Sequence, residues 1–200
     1  AIVPRPAVLL MDEPFSGLDG RLRHIVREET LATLRAVRAT AIIVTHDAEE
    51  AMRLGDRIAV MRGGRLVQMG NAEMLYQRPA DVYVAEIFSE VHVIYCRVIS
   101  GWAVSPVGRF RASAGVEGEA ALCVRPREIE IGPQGFGTPA QVTDVRYLGP
   151  EALIQLAVQG LDRPLSARLR ASAAPQKGEE VGFRVDPEHV LIFPRAGDGP

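Results

Sequence analysis

Two carboxylates, Asp12 and Glu13, stand directly behind the apolar run Val8-Leu9-Leu10-Met11, and His46 stands just behind a second run, Ala41-Ile42-Ile43-Val44. If both runs are buried strands of one parallel sheet, these side chains gather at the strands' carboxyl ends, where open α/β sheets place their ligands. A carboxylate there can hold Mg²⁺ through its water shell, because Mg²⁺ prefers oxygen ligands and keeps several waters. A neighbouring carboxylate can polarise an attacking water. Each residue also has a plainer reading, with Asp12 capping a turn, Glu13 solvated and His46 a structural hydrogen-bonder. The combination favours a site, since two strand-end polar positions are separated by one crossover helix of the length a parallel unit requires.

The elements that must position these groups follow from periodicity. Continuous apolar runs at residues 8–11 and 41–44 predict strands buried on both faces. Between them, Leu22, Ile25, Val26, Leu31, Leu34 and Val37 alternate with arginines and glutamates, predicting an amphipathic helix over 21–37 whose period slips once near Glu29. Asp47 with Glu50 three residues on predicts a capping box opening a helix that runs to Leu54 and stops at Gly55. Gly63-Gly64 between Arg57–Met61 and Arg65–Met69 predicts a hairpin, because two glycines accept the positive φ angles of a tight turn. Asn71 and Asp81 then predict caps of two short helices separated by Pro79.

From about Ile94 the pattern changes to short β-rich segments at 121–124, 128–131, 140–148, 152–158, 165–169, 181–185 and 190–193. Gly149-Pro150, Gly160, Pro175 and Gly178 punctuate them, and residues 195–200 read as a frayed tail. Strands at this spacing suggest a small barrel or sandwich. Trp102 and Tyr147 are expected in the core or at its rim.

The chain has 200 residues, 47% hydrophobic and 24% charged, with 23 Lys+Arg against 25 Asp+Glu, a formal charge of −2. That composition excludes disorder and leaves no basic footprint for nucleic acid. No apolar run is long enough for a helical membrane span, and no signal pattern opens the chain. Cys96 and Cys123 fall in no paired or metal-like spacing, which suits reduced cytosolic thiols.

In order and spacing, several of these motifs resemble the ATPase subunits of ABC transporters. Val8-Leu9-Leu10-Met11-Asp12-Glu13-Pro14 is similar to their Walker B strand, Ser16-Gly17-Leu18-Asp19 to their D-loop and Thr45-His46-Asp47 to their switch-histidine loop. The lead-in Ala1 to Pro6, Glu49-Glu50-Ala51-Met52 and Asp56 to Met61 extend the resemblance over residues 1 to about 90. The remainder is similar to the β-rich TOBE domain of importer-type subunits, through Val124-Arg125-Pro126 with Glu128, Val142 to Gly149 and Asp186-Pro187-Glu188-His189-Val190. Phe88-Ser89-Glu90 and the arginine-rich Leu22 to Arg38 helix point, among importers, to ferric-iron subunits.

The resemblance implies an α/β partial P-loop ATPase domain over 1–90 followed by a small all-β, TOBE/OB-like barrel domain over 91–200. It implies ATP and Mg²⁺ as cofactors, with Asp12 on the metal through water. Glu13 would be the catalytic carboxylate and His46 the γ-phosphate contact. Ser16 and Asp19 would communicate across a dimer that sandwiches each ATP. The implied partners are a second copy of the chain and membrane permease subunits, met at the cytoplasmic face of the membrane, and no nucleic acid.

The departures limit that picture. Nothing in the chain matches G-x-x-x-x-G-K-[ST], the phosphate cradle, nor the glutamine loop or Ser-Gly-Gly signature that precede Walker B in the family. The chain is therefore expected to be the carboxyl-terminal portion of a longer subunit, neither binding ATP tightly nor hydrolysing it alone. One alternative makes 91–200 a regulatory module that dimerises or binds a small anion through Arg125, Arg127 and Arg146. Against it, those arginines read as solvated strand-face residues, with no cluster or glycine nest marking a pocket. A further alternative, a DNA-repair ATPase class sharing the Asp-Glu and D-loop arrangement, is opposed by the β-rich tail and the absence of a basic stripe.

Overall fold

In a computed structural model describing residues 7–195, the first apolar run forms β1 (Val8–Asp12) and the charged amphipathic stretch forms α1 (Gly20–Ala36). The second run forms β2 (Thr40–Val44), parallel to β1 with Val8 opposite Thr40 and Asp12 opposite Val44. The lead-in Ala1 to Pro6 and the tail beyond Arg195 lie outside the described residues.

Next come α2 (Ala48–Leu54), ended at Gly55, and the hairpin of β3 (Ile58–Arg62) and β4 (Arg65–Gly70). Its turn rests on Gly63 and Gly64 at φ +56° and +75°, the left-handed values that glycine adopts without a Cβ clash. The side chain of Asn71 caps α3 (Ala72–Gln77) through the Met74 amide.

The strands β1 and β2 differ from the doubly buried strands that their composition predicts. Val8, Leu10, Ile42 and Val44 are exposed, with Leu10 at 69%, while Leu9, Met11, Ala41 and Ile43 are half-buried. Among the described residues this sheet has two strands and no layer covers the face that these alternate side chains line. Helix α1 likewise buries Leu34 and Arg27 and leaves Leu22, Ile25 and Val37 exposed.

The chain divides into two compact units between Ala80 and Asp81. In the second, Asp81 caps α4 (Val82–Phe88) through the Val84 amide. There follow β5 (His92–Ile99), β6 (Trp102–Ser105), β7 (Gly108–Arg111) and β8 (Gly118–Val124), then a 3₁₀ turn, Pro126–Glu128. Beyond it lie β9 (Ile129–Gly132), β10 (Thr138–Tyr147), β11 (Glu151–Ala157), β12 (Leu165–Arg170) and β13 (Glu180–Val185). A second 3₁₀ turn, Pro187–His189, leads into β14 (Leu191–Pro194).

These strands make two five-stranded antiparallel sheets, ordered β12-β11-β10-β13-β9 and β14-β8-β5-β6-β7. The first curls toward closure, with β12 lying against β9 and the Pro126–Glu128 turn. Alternate residues of both sheets, including Val98, Leu122, Ile154, Leu156, Leu165 and Phe183, fill one apolar core. The fold is thus mostly β and barrel-like in this unit. Strands β5, β6 and β7 lie outside the segments expected from the sequence pattern, which begin at 121.

Neither Trp102 nor Tyr147 enters the core. Tyr147 is 75% exposed, and Trp102 is 37% exposed beneath the Arg109 guanidinium, 4.3 Å from its ring centroid. The pleat decides this: Ala103, between Trp102 and Val104, is the residue of β6 that turns inward.

His92 on β5 makes a polar link to the other sheet at Ser166 on β12. The Ser166 amide donates to His92 Nε2 at 2.9 Å, so the imidazole covers part of the β12 edge in its unprotonated form. Burial lowers the His92 pKa from its ordinary 6.5, against opposing effects of the Ser166 carbonyl and Glu90. A lowered folded pKa contributes stability above the unfolded value and loses it as pH falls through the folded value. The melting temperature of the chain is expected to drop on acidification below pH 6.5. In His92→Gln, that part of the slope is expected to disappear.

Candidate active site

The register of β1 and β2 sets the geometry. Since Asp12 lies opposite Val44, the residues that follow each strand emerge side by side. The Glu13 amide continues the ladder, donating to the Val44 carbonyl at 2.8 Å. Glu13 itself sits at φ +46°, a left-handed conformation costly for a residue with a Cβ and common where surrounding structure holds a functional group in place. Its carboxylate turns onto the facing loop: Oε1 accepts from the His46 amide at 3.1 Å and meets His46 Nδ1 at 2.6 Å.

The pair raises the imidazole pKa above its ordinary 6.5, through the hydrogen bond and charge of Glu13 first, with Asp47 and Glu50 adding to it. The sequence-predicted Glu13 and His46 are therefore in contact. Asp12 is exposed beside them and, among the described residues, its carboxylate has no hydrogen-bond or ionic partner. A free carboxylate at a strand end is a hard oxygen donor of the kind that suits Mg²⁺ through water.

Ser16 and Asp19 are held locally. Ser16 Oγ donates to the Glu13 carbonyl at 3.0 Å and buttresses that turn. Asp19 caps α1, its Oδ1 accepting from the Arg21 and Leu22 amides at 3.1 and 2.9 Å.

Behind the histidine loop lies a buried ionic network. Glu50, 3% exposed, accepts from Arg27 Nη2 at 2.8 Å on one oxygen and from Thr45 Oγ1 at 2.8 Å on the other. Arg27, 6% exposed, also lies 3.9 Å from Asp47 and over the ring of Phe15. The Thr45-His46-Asp47 loop is thereby tied to α1.

The capping box expected at α2 is half made. Asp47 Oδ1 accepts from the Glu49 and Glu50 amides, but the Asp47 amide donates to Thr45 Oγ1 and Glu50 turns to Arg27. A buried guanidinium outcompetes a backbone amide for the carboxylate, since hydrogen bonds between charged groups are the stronger. Arg27 had a signal in the sequence. It precedes the buried Leu34 by seven residues, which places it on the same helix face.

The three arginines weighed as anion contacts do not converge. Arg127 pairs with Glu151 at 3.0 Å and Arg146 with Asp144 at 3.1 Å, both from exposed positions. Arg125 is buried instead of solvated, with Nε donating to Ser89 Oγ at 3.0 Å.

Comparison with known proteins agrees with the motifs. Residues 122–193 match the TOBE domain family. The chain is 37% identical over 190 residues to the Fe(3+) ions import ATP-binding protein FbpC 1 of Rhodococcus jostii, covering 92% of this chain and 55% of that protein. It is 40% identical over 157 residues to FbpC of Agrobacterium fabrum, covering 74% of this chain and 44% of that one. With FbpC of Streptomyces coelicolor the identity is 33% over 198 residues, covering 98% and 57%. The chain spans about half the length of the curated relatives it matches. Among solved structures, the cytoplasmic molybdate-binding protein ModG covers 52% of this chain and 95% of its own at 13% identity, with a TM-score of 0.44, too slight a likeness to carry an argument.

In Glu50→Ala, the uncompensated Arg27 is expected to cost about 3 kcal/mol locally, seen as roughly 100-fold faster hydrogen exchange of the β2 and α2 amides. The double change Arg27→Met with Glu50→Leu is expected to restore most of the protection. By NMR, His46 is expected to titrate above its ordinary 6.5 and to fall toward it in Glu13→Gln. A midpoint indifferent to Glu13 would contradict the pairing.

Proposed function

We propose that this chain, which corresponds to the carboxyl-terminal portion of ABC importer ATP-binding subunits and carries their TOBE domain, supplies the hydrolytic half of a transport ATPase site. The observation that carries the reading is the contact of Glu13 with His46 at the carboxyl ends of two parallel strands. In this reading Glu13 is the base that orients and deprotonates the attacking water, and a left-handed backbone and the Ser16 bond hold it in place. His46, anchored through Thr45 and Asp47 to the buried Arg27–Glu50 pair, contacts the terminal phosphate. Asp12 holds Mg²⁺ through water, and bound Mg²⁺ supplies neutralisation of phosphate charge.

The residues present suit the metal and the reacting phosphate but not the rest of the nucleotide, because no P-loop motif occurs in the 200 residues. The exposed Val8, Leu10, Ile42 and Val44 support the same reading. A two-stranded parallel sheet with a bare apolar face is what remains when neighbouring strands and layers belong to another segment. Residues 1–90 are then the carboxyl-terminal part of the ATPase domain and 91–200 the TOBE-like domain.

The functional assembly in this reading is a pair of such subunits, with Ser16 and Asp19 facing the second copy, docked on membrane permeases at the cytoplasmic face. No helix among the described residues is long and apolar enough to cross a membrane. The relatives' names make ferric ion the proposed solute.

The chain alone is expected to show no Mg²⁺-dependent ATP turnover. In a subunit that joins this sequence to a nucleotide cradle, Glu13→Gln is expected to lower kcat by about 10²-fold or more while ATP still binds. His46→Ala is expected to lower kcat with little change in ATP affinity. Steady-state phosphate release measures both, and a Glu13→Gln subunit that turns over normally would refute the assignment.

A further inference from the structure

The two chain passages between the sheets of the β unit run side by side. The 3₁₀ turn Pro126–Glu128 carries the chain from β8 in one sheet to β9 in the other, and Pro187–His189 carries it back from β13 to β14. They are joined by the Asp186 amide, which donates to the Glu128 carbonyl at 3.1 Å, and by the β9–β13 ladder, where Val185 lies opposite Ile129.

At this junction three ligand-type side chains converge, Asp186 and His189 from one turn and Glu128 from the other. His189 Nδ1 lies 2.9 Å from Asp186 Oδ2 and 3.4 Å from Glu128 Oε2, and all three ligand atoms lie within 4.8 Å of one another. The second Asp186 oxygen is occupied, accepting from the Glu188 amide at 3.0 Å, which fixes the orientation of the carboxylate. Glu128 is mostly covered, while Asp186 and His189 are open to solvent on one side.

We infer that Glu128, Asp186 and His189 form a site for a divalent transition-metal ion of the Zn²⁺ class, which fastens the two inter-sheet crossovers together. Ligands at the usual Zn–N and Zn–O lengths stand about 3.3 Å apart in a tetrahedral site. The separations of His189 Nδ1 from the two carboxylates, 3.4 and 2.9 Å, bracket that value. One imidazole with two carboxylates suits borderline ions such as Zn²⁺, whereas Mg²⁺ and Ca²⁺ favour all-oxygen shells. The three protein ligands leave a fourth position for water on the open side, which makes the ion exchangeable. Without an ion the same pocket favours a proton: Asp186 first and Glu128 next raise the His189 pKa, so metal binding would displace that proton.

Zinc titration of the full chain by calorimetry tests the site, with Mg²⁺ as the comparison ion. One Zn²⁺ per chain is expected, with proton release at neutral pH, no matching Mg²⁺ uptake and a higher melting temperature for the zinc-loaded chain. His189→Ala removes an exposed side chain, and Glu128→Gln keeps the side-chain shape; circular dichroism checks that both fold. Each is expected to weaken zinc binding by tenfold or more and to abolish the melting shift. Absence of saturable zinc binding by the folded wild-type chain, or unchanged affinity in either variant, overturns the site.

Discussion

The parallel pairing of β1 with β2 is the constraint on which the amino-terminal unit depends. Its register places Asp12 opposite Val44, so that two loops some thirty residues apart in sequence leave the sheet at one point. A register shifted by one residue would turn Glu13 away from His46 and invert which strand residues are exposed. The Glu13 amide extends that ladder, and its carboxylate closes on the His46 amide and ring. The Arg27–Glu50 pair secures the same loop from the other side. Such a pair contributes little net stability as a buried ion pair. What it does here is set the position of Thr45, His46 and Asp47 relative to α1.

The second unit solves a different problem. Ten strands share one apolar core, and the chain crosses between the two sheets at side-by-side turns after β8 and after β13. Pro126 and Pro187 open these turns, where a missing amide costs nothing, and the chain enters a new sheet within a few residues. Closely packed crossings of this kind bring side chains together that no local pattern relates. Glu128 and His189 are separated by most of the domain in sequence, and both face Asp186.

Much of the local structure was legible. The caps at Asn71 and Asp81, the stop at Gly55 and the Gly63-Gly64 turn all rest on single side chains or φ values, which residue type determines. The arginines were less so. Arg27 and Arg125 are buried and Arg127 and Arg146 exposed, although all four look alike in a charged sequence, because burial of a guanidinium depends on whether a partner reaches it from another element. Residues 8–11 and 41–44 form the expected parallel strands, but burial on both faces fails for the converse reason. Composition reports a strand's suitability for burial, but a covering layer must exist for burial to occur.

By itself, then, the sequence determined the element types, their caps and turns, and the order of carboxylate, D-loop and histidine motifs, since each depends on neighbours within a few residues. Only the tertiary structure decided that Glu13 touches His46, that Glu50 serves Arg27 in place of its own helix cap, and that Glu128, Asp186 and His189 meet. Those outcomes hang on strand register and on the paths of crossovers. They are properties of residues brought together across long stretches of chain, where competition among partners selects the contact.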